Sequence, residues 1–300
     1  MTRRAAPALL LAALASCGGD DGGGGDEVDA APACAITSTE PAATVPLAGA
    51  CPLAQRLGGF TVADSGTYSS IQGLVADAVI DATVPEVLMT EGDCALHRRA
   101  NPFCDPACSG EETCSSGGVC VPFPGNVDLG PVEVRAAAGC TTMAARPPGN
   151  NYFATDVAHP YAAAGVLLEL AAGAGPLGPV LLHGVGVDSL PAGDPAWTVT
   201  RGQVLPITWP AATAGARSRV VVRVQIDQHG LAPASIVCDT PDDGSLDIPA
   251  TLVDALFAAG VSGFPNGGMV RRTVDSVSAG AGCVEFVVAS ERSADITVAP

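Results

Sequence analysis

The sequence predicts an all-β protein: a β-sandwich of jelly-roll type, preceded by a short β region and a small disulfide-rich module. Three observations carry this. Short apolar–polar alternations recur along residues 126–300. In the clearest, Val220 to Asp227, the residues Val220, Val222, Val224 and Ile226 share one face while Arg223, Gln225 and Asp227 lie on the other. Turn-forming clusters separate these runs at roughly 10–20 residues, which is the spacing of sandwiches and jelly rolls. Cysteines concentrate in one segment with almost nothing apolar between them, and such a segment cannot build a core and must be stapled.

The remaining strands follow in order. Leu57 to Val62, Ile71 to Val75 and Glu86 to Thr90 are short β-like runs in a small β region, 34–93. In the sandwich region, 126–300, Val132 and Val134 share a face. Val166, Leu168 and Leu170 alternate with Leu167, Glu169 and Ala171. Leu205, Ile207 and Trp209 alternate next, and Val284, Phe286 and Val288 repeat the pattern near the end. One helix interrupts, with Pro249 at its first position, Leu252, Val253, Leu256 and Phe257 on one stripe, and Gly260 as the stop.

Composition excludes several functions. The chain carries 31 acids against 14 basic residues, a net charge of -17, which argues against a nucleic-acid partner because phosphate binding needs a basic face. All the basic residues are Arg; with no Lys there is no Schiff-base lysine and no phosphate-loop lysine. No run of apolar residues is long enough to span a bilayer as a helix.

Residues 1–16 read as a signal peptide: Arg3 and Arg4, then an apolar stretch from Ala5 to Ala15. The stretch closes on Leu14-Ala15-Ser16-Cys17, and here the chain resembles bacterial lipoproteins, whose lipobox has this form. The resemblance implies that Cys17 is acylated on its sulfur and becomes the mature N-terminus. It also implies a cell-envelope address, held to the membrane by lipid. Gly18 rather than Asp follows the cysteine, which favours the outer membrane where a retention rule operates. Residues 17–33 form a tether, Gly-rich and acidic, with no apolar periodicity.

The module at 94–125 holds Cys94, Cys104, Cys108, Cys114 and Cys120. The preferred pairing of the tight set is interlaced, Cys104–Cys114 and Cys108–Cys120, although four cysteines allow three connectivities. Zinc is the rival reading, but the spacing of the second pair and an oxidising compartment favour disulfides. The stretch is similar to the EGF-like, cysteine-rich inserts of secreted lipoproteins from myxobacteria, without the Cys-x-Cys step of true EGF spacing. Setting Cys17 aside leaves ten cysteines, an even number. Cys238 and Cys283 both fall on expected strands and are taken as a pair; Cys34, Cys51, Cys94 and Cys140 are left without assigned partners.

No catalytic residue is assigned. Ser276-Val277-Ser278-Ala279-Gly280 lacks the first Gly of a nucleophile elbow, and His97, His159, His183 and His229 are isolated in sequence. Asp239, Asp243 and Asp247 make a weak calcium candidate, because Pro241 and Ala250 stand where ligands belong. Trp197 and Trp209 could form a sugar platform, but core positions explain them better. The expectation is a lipid-anchored envelope protein with a non-enzymatic binding or structural role and an unknown envelope or extracellular ligand. No cofactor other than calcium is suggested. The alternatives are a secreted hydrolase acting on carbohydrate and a calcium-dependent adhesion module.

Overall fold

The first strands of the chain are β1 (Arg56–Asp64), β2 (Ser69–Val75), β3 (Glu86–Glu91) and β4 (Cys94–Arg98), entered through a 3-10 turn at Leu53–Gln55. The cysteine-rich excursion contributes β5 (Glu112–Cys114) and β6 (Cys120–Pro122). Then come β7 (Val132–Ala136), β8 (Gly139–Met143), β9 (Tyr152–Ala154), β10 (Leu167–Ala172), β11 (Val180–Val185), β12 (Ala196–Thr200) and β13 (Leu205–Thr208). The last third holds β14 (Arg219–Gln225), β15 (Ala234–Pro241), β16 (Ser245–Ile248), helix α1 (Ala250–Ala259), β17 (Asn266–Ala279), β18 (Gly282–Ser293) and β19 (Asp295–Ala299). This computed structural model describes residues 35–299 apart from 80–83, 102, 138, 174, 214–215, 228–232 and 262–263. The expected signal peptide, Cys17, the tether, Cys34 and His229 lie outside the described residues.

The protein is all-β. Nine strands form one sheet in the order β3-β4-β15-β14-β17-β18-β1-β2-β9, and four form a second, β11-β10-β7-β8. The segments expected as a small β region, 34–93, and a sandwich, 126–300, share one sheet within the compact unit 34–300. The reason lies in strand edges. β1 pairs in parallel with β18, and β4 pairs antiparallel with β15. The early strands thus cover edges of β15 and β18 that would otherwise expose unpaired N–H and C=O groups. Four short strands alone would also bury too little surface to hold a core.

Both cores lie on one face of the large sheet. At one end the four-stranded sheet covers it, burying Phe60, Ile71, Leu168, Leu170 and Phe286. The layers approach so closely at Gly184 that a Cβ there would sit 2.5 Å from the Val288 side chain and 2.9 Å from that of Phe286. At the other end, α1 and the two-stranded ribbons β12–β19 and β13–β16 bury Leu96, Val222, Ile236, Ile207 and Leu256. The helix buries the expected stripe of Leu252, Val253, Leu256 and Phe257, with Pro249 as N-cap rather than first helical residue. It stops at Gly260, whose φ of 133° a side chain would resist.

The buried face of β17 is polar, carrying Arg271, Thr273 and Asp275. These side chains satisfy backbone from outside the strand. Asp275 accepts from the His183 N–H at 2.8 Å, and the Thr273 hydroxyl both accepts from the Val185 N–H and donates to the Val185 carbonyl. The free edge of β11 is therefore capped by side chains of the facing sheet, so its buried polar groups are not left unpaired.

Four disulfides join described residues: Cys51–Cys283, Cys94–Cys238, Cys104–Cys114 and Cys108–Cys120. Cys140 is disulfide-bonded as well, to a partner outside the described residues. The expected Cys238–Cys283 pair is corrected. Two strands, β14 and β17, separate β15 from β18, about 14 Å at the usual strand spacing, and the register sets Cys238 level with Arg292, far along β18 from Cys283. A disulfide needs Cα atoms within about 7 Å. Each sulfur instead finds a cysteine on an adjacent piece of chain: Cys94 stands directly opposite Cys238 in the β4–β15 ladder.

The cysteine-rich excursion leaves the sheet after β4 and rejoins it at the Ala76–Asn126 bridge. Its hairpin, β5–β6, forms a separate two-stranded sheet. Phe103, Val119 and Phe123 are exposed on it.

Candidate functional site

Two of the charged networks buried among the described residues are closed. Arg271 and Asp242 form a salt bridge at 2.6 Å with side chains 2% and 3% exposed. Asp242 also accepts from the Trp209 indole N–H and the Ser218 hydroxyl. Burial alone would raise the Asp242 carboxyl, but Arg271, Ser218 and Trp209 together hold it below the usual carboxylate range. Glu169 is fully buried under the strap at Thr37 and Ser38. It accepts from the Thr37 hydroxyl at 2.6 Å, from both strap N–H groups and from the Arg135 guanidinium at 2.6 Å. These donors outweigh burial and lower its pKa. His183 stands 4.0 Å from Glu169 and 3.9 Å from Asp275. With four donors converging on Glu169 and the strap over it, this cluster is built to hold the strap and the sheet edge.

One assembly has the residue types of a hydrolase. His159 Nδ1 lies 3.0 Å from Ser69 Oγ and 3.8 Å from Asp64 Oδ1. A proton relay needs the hydroxyl on one ring nitrogen and the carboxylate on the other, but here both face the same nitrogen. Ser69 is 1% exposed, and its Oγ also accepts the Tyr161 N–H. The hollow beside it measures about 10 Å³, barely the size of one water. The geometry therefore cannot admit and attack a substrate.

The calcium candidate does not assemble. Asp239 is held by Arg219 at 2.5 Å and Arg272 at 2.9 Å, and Asp243 accepts the Ser245 N–H. Among the described residues, Asp239, Asp243 and Asp247 do not gather their oxygens within reach of one ion. The Cys104, Cys108 and Cys120 sulfurs do lie within 4.8 Å of one another, but as members of the two interlaced bridges. They are therefore not thiolate ligands. Trp197 and Trp209 are both core residues.

What the fold does leave open is the outer face of the large sheet. Val220, Val222 and Val224 point into the core, so Val221, Arg223 and Gln225 point outward. Val237 stands opposite Arg223, and His97 opposite Ser235. On the other side of Arg223 the register places Gly268, which has no side chain to fill the space. The result is a groove of about 860 Å³, floored by Val221 and Val237 and walled by Arg56, His97, Arg99 and Arg223. Its described lining contains no carboxylate. A second hollow of about 520 Å³ adjoins it at Val221, Arg223 and Asn266 and does carry Asp194 and Glu291.

The groove's electrostatics are set by these few residues. Arg56 is compensated by Glu285 at 3.0 Å. Neither Arg99 nor Arg223 has a carboxylate within ion-pair distance among the described residues. Burial, with Arg223 nearby, lowers the pKa of His97. Arg56 Nε and His97 Nδ1 are the buried side-chain polar atoms without a hydrogen-bond partner among the described residues, and both belong to this groove. From the sequence, His97 stood out only as an isolated histidine and Arg223 only as part of a wet strand face, and neither Arg56 nor Arg99 was singled out. The floor and walls come from four separate stretches of chain, and the only local signal was the polar side of the Val220–Asp227 alternation.

No known protein family matches the chain, and a search of curated proteins likewise finds no match.

Proposed function

We propose that this chain is a lipid-anchored cell-envelope protein with a non-enzymatic binding role, exported to the outer membrane and held there through Cys17. The observation that carries the binding role is the groove: about 860 Å³, open, and positively walled on a strongly acidic chain. That volume lies in the range of small-molecule sites. The assembly of hydrolase residue types, by contrast, is closed to substrate. The anchoring part rests on Leu14-Ala15-Ser16-Cys17 and on the acidic Gly-rich stretch after it. Disulfides throughout the folded unit suit an oxidising compartment. Anchoring needs more than one acyl chain to be stable, as lipoprotein processing supplies. Metabolic labelling with palmitate tests it. Label should appear in the wild-type chain and vanish in Cys17→Ala, and label surviving that change would remove the anchor from the reading.

A further inference from the structure

Resting on that binding role, we infer that the outer-face groove takes a small soluble molecule bearing an oxyanion, a phosphate or carboxylate on a compact apolar body, with Arg99 and Arg223 as its recognition groups. The argument begins with charge. Acids outnumber arginines by 31 to 14, so a guanidinium that faces solvent without a carboxylate has avoided abundant partners. Arg99 and Arg223 do so on one groove, from different strand regions, and the described lining contains no acid to compete with a ligand. Guanidinium groups present paired N–H donors that match carboxylate and phosphate oxygens. The floor between them is Val221 and Val237, which suits an apolar body rather than a bare ion. Buried nitrogens without partners at the wall, on Arg56 and His97, add polar capacity at the same place.

Size and global charge choose the source. The groove is concave and of small-molecule volume, whereas docking on lipid headgroups needs a projecting basic surface. A body of net charge -17 is repelled by an anionic membrane and by long polyanions, while a single small anion meets only the local field.

The test is calorimetric titration of the full chain with phenyl phosphate, benzoate and inorganic phosphate. Vesicles of phosphatidylglycerol form a separate arm. Saturable 1:1 binding of phenyl phosphate or benzoate, stronger than inorganic phosphate, is expected. Arg99→Gln and Arg223→Gln should each weaken it several-fold, and together at least roughly tenfold. Arg98→Gln removes the same charge from the next position of β4, which points to the other face, and should leave affinity within about twofold. Arg99 and Arg223 are exposed, so each single variant should fold and melt like the parent. The inference is overturned if none of the soluble probes binds up to about 10 mM, where even weak sites saturate. It is equally overturned if Arg98→Gln lowers affinity as much as Arg223→Gln, or if only the vesicles bind. Acylation of Cys17 plays no part in this titration, so failure of the anchor and failure of the ligand class are told apart.

Discussion

At Glu169 a negative charge sits fully buried because four donors converge on it: the Thr37 hydroxyl, two strap N–H groups and Arg135. Removing the acceptor strands those donors in the interior. Glu169→Leu should therefore destabilise the fold by about 3–5 kcal/mol, read from urea unfolding, with the strap at Thr37 the first segment to gain hydrogen exchange. Asp242 is held in the same way by Arg271. Both carboxyls have folded pKa values below their unfolded ones. Between the two values the unfolded chain binds more protons, so stability rises with pH there. Their contribution is complete above the ordinary carboxylate range and is lost as pH falls through the depressed values. Unfolding midpoints should hold down to about pH 5 and drop steadily below about pH 4; a flat profile to pH 3 would contradict these assignments. Gly184 gives a packing test. Gly184→Val pushes into Val288 and Phe286, both anchored in the core, and should lower stability by about 1–3 kcal/mol by overpacking.

Among the elements, the cysteine-rich excursion and the long strand β17 depart most from simple alternation. The strands of the excursion pair only with each other among the described residues, and its two bridges close loops with separations of 10 and 12 residues. It should behave as a separate cooperative piece. Serine at Cys104, Cys108, Cys114 and Cys120 should open the stretch between Arg98 and Gly125 to protease while leaving the main melting transition in place. By contrast, Cys51–Cys283 spans 232 residues and ties the entry of β1 to β18. Its removal in Cys51→Ala/Cys283→Ala should cost about 2–5 kcal/mol and move that main transition. β17 inverts the usual pattern, with Arg271, Thr273 and Asp275 on its buried side. A polar buried face cannot be recognised from periodicity, because the residues that justify it, Val185 and His183 on β11, are some 90 positions away.

For the molecule as a whole, the cysteine count makes a further prediction. Cys51, Cys94, Cys238 and Cys283 are mutually paired, and Cys140 is bonded. If Cys17 carries lipid, Cys34 is the remaining partner. Peptide mapping without reduction should recover a Cys34–Cys140 fragment, and a Cys17–Cys140 fragment would sink the acylation proposal together with that pairing. Val220 to Gln225 was readable because one side of β14 is wet, while Leu57 to Val62 and Phe286 with its neighbours fall within β1 and β18, where their β-forming residues place them. The helix was readable from its stripe and its glycine stop. Strands β4, β11 and β17 were not, since each is short, buried or polar on the core side. The groove was hardly legible at all. His97 and Arg223 look unremarkable 126 residues apart, and only the β4–β15–β14 ladder sets them on one face.

Residue order alone determined the all-β class, the place of helix α1 and the stapled excursion, because these depend on neighbours within a few positions. Tertiary structure decided which strands share a sheet, which cysteines meet and where positive charge escapes its acids. Those outcomes depend on edge pairing between segments far apart in the chain, where the free energy of covering open backbone, rather than any local preference, selects the partner.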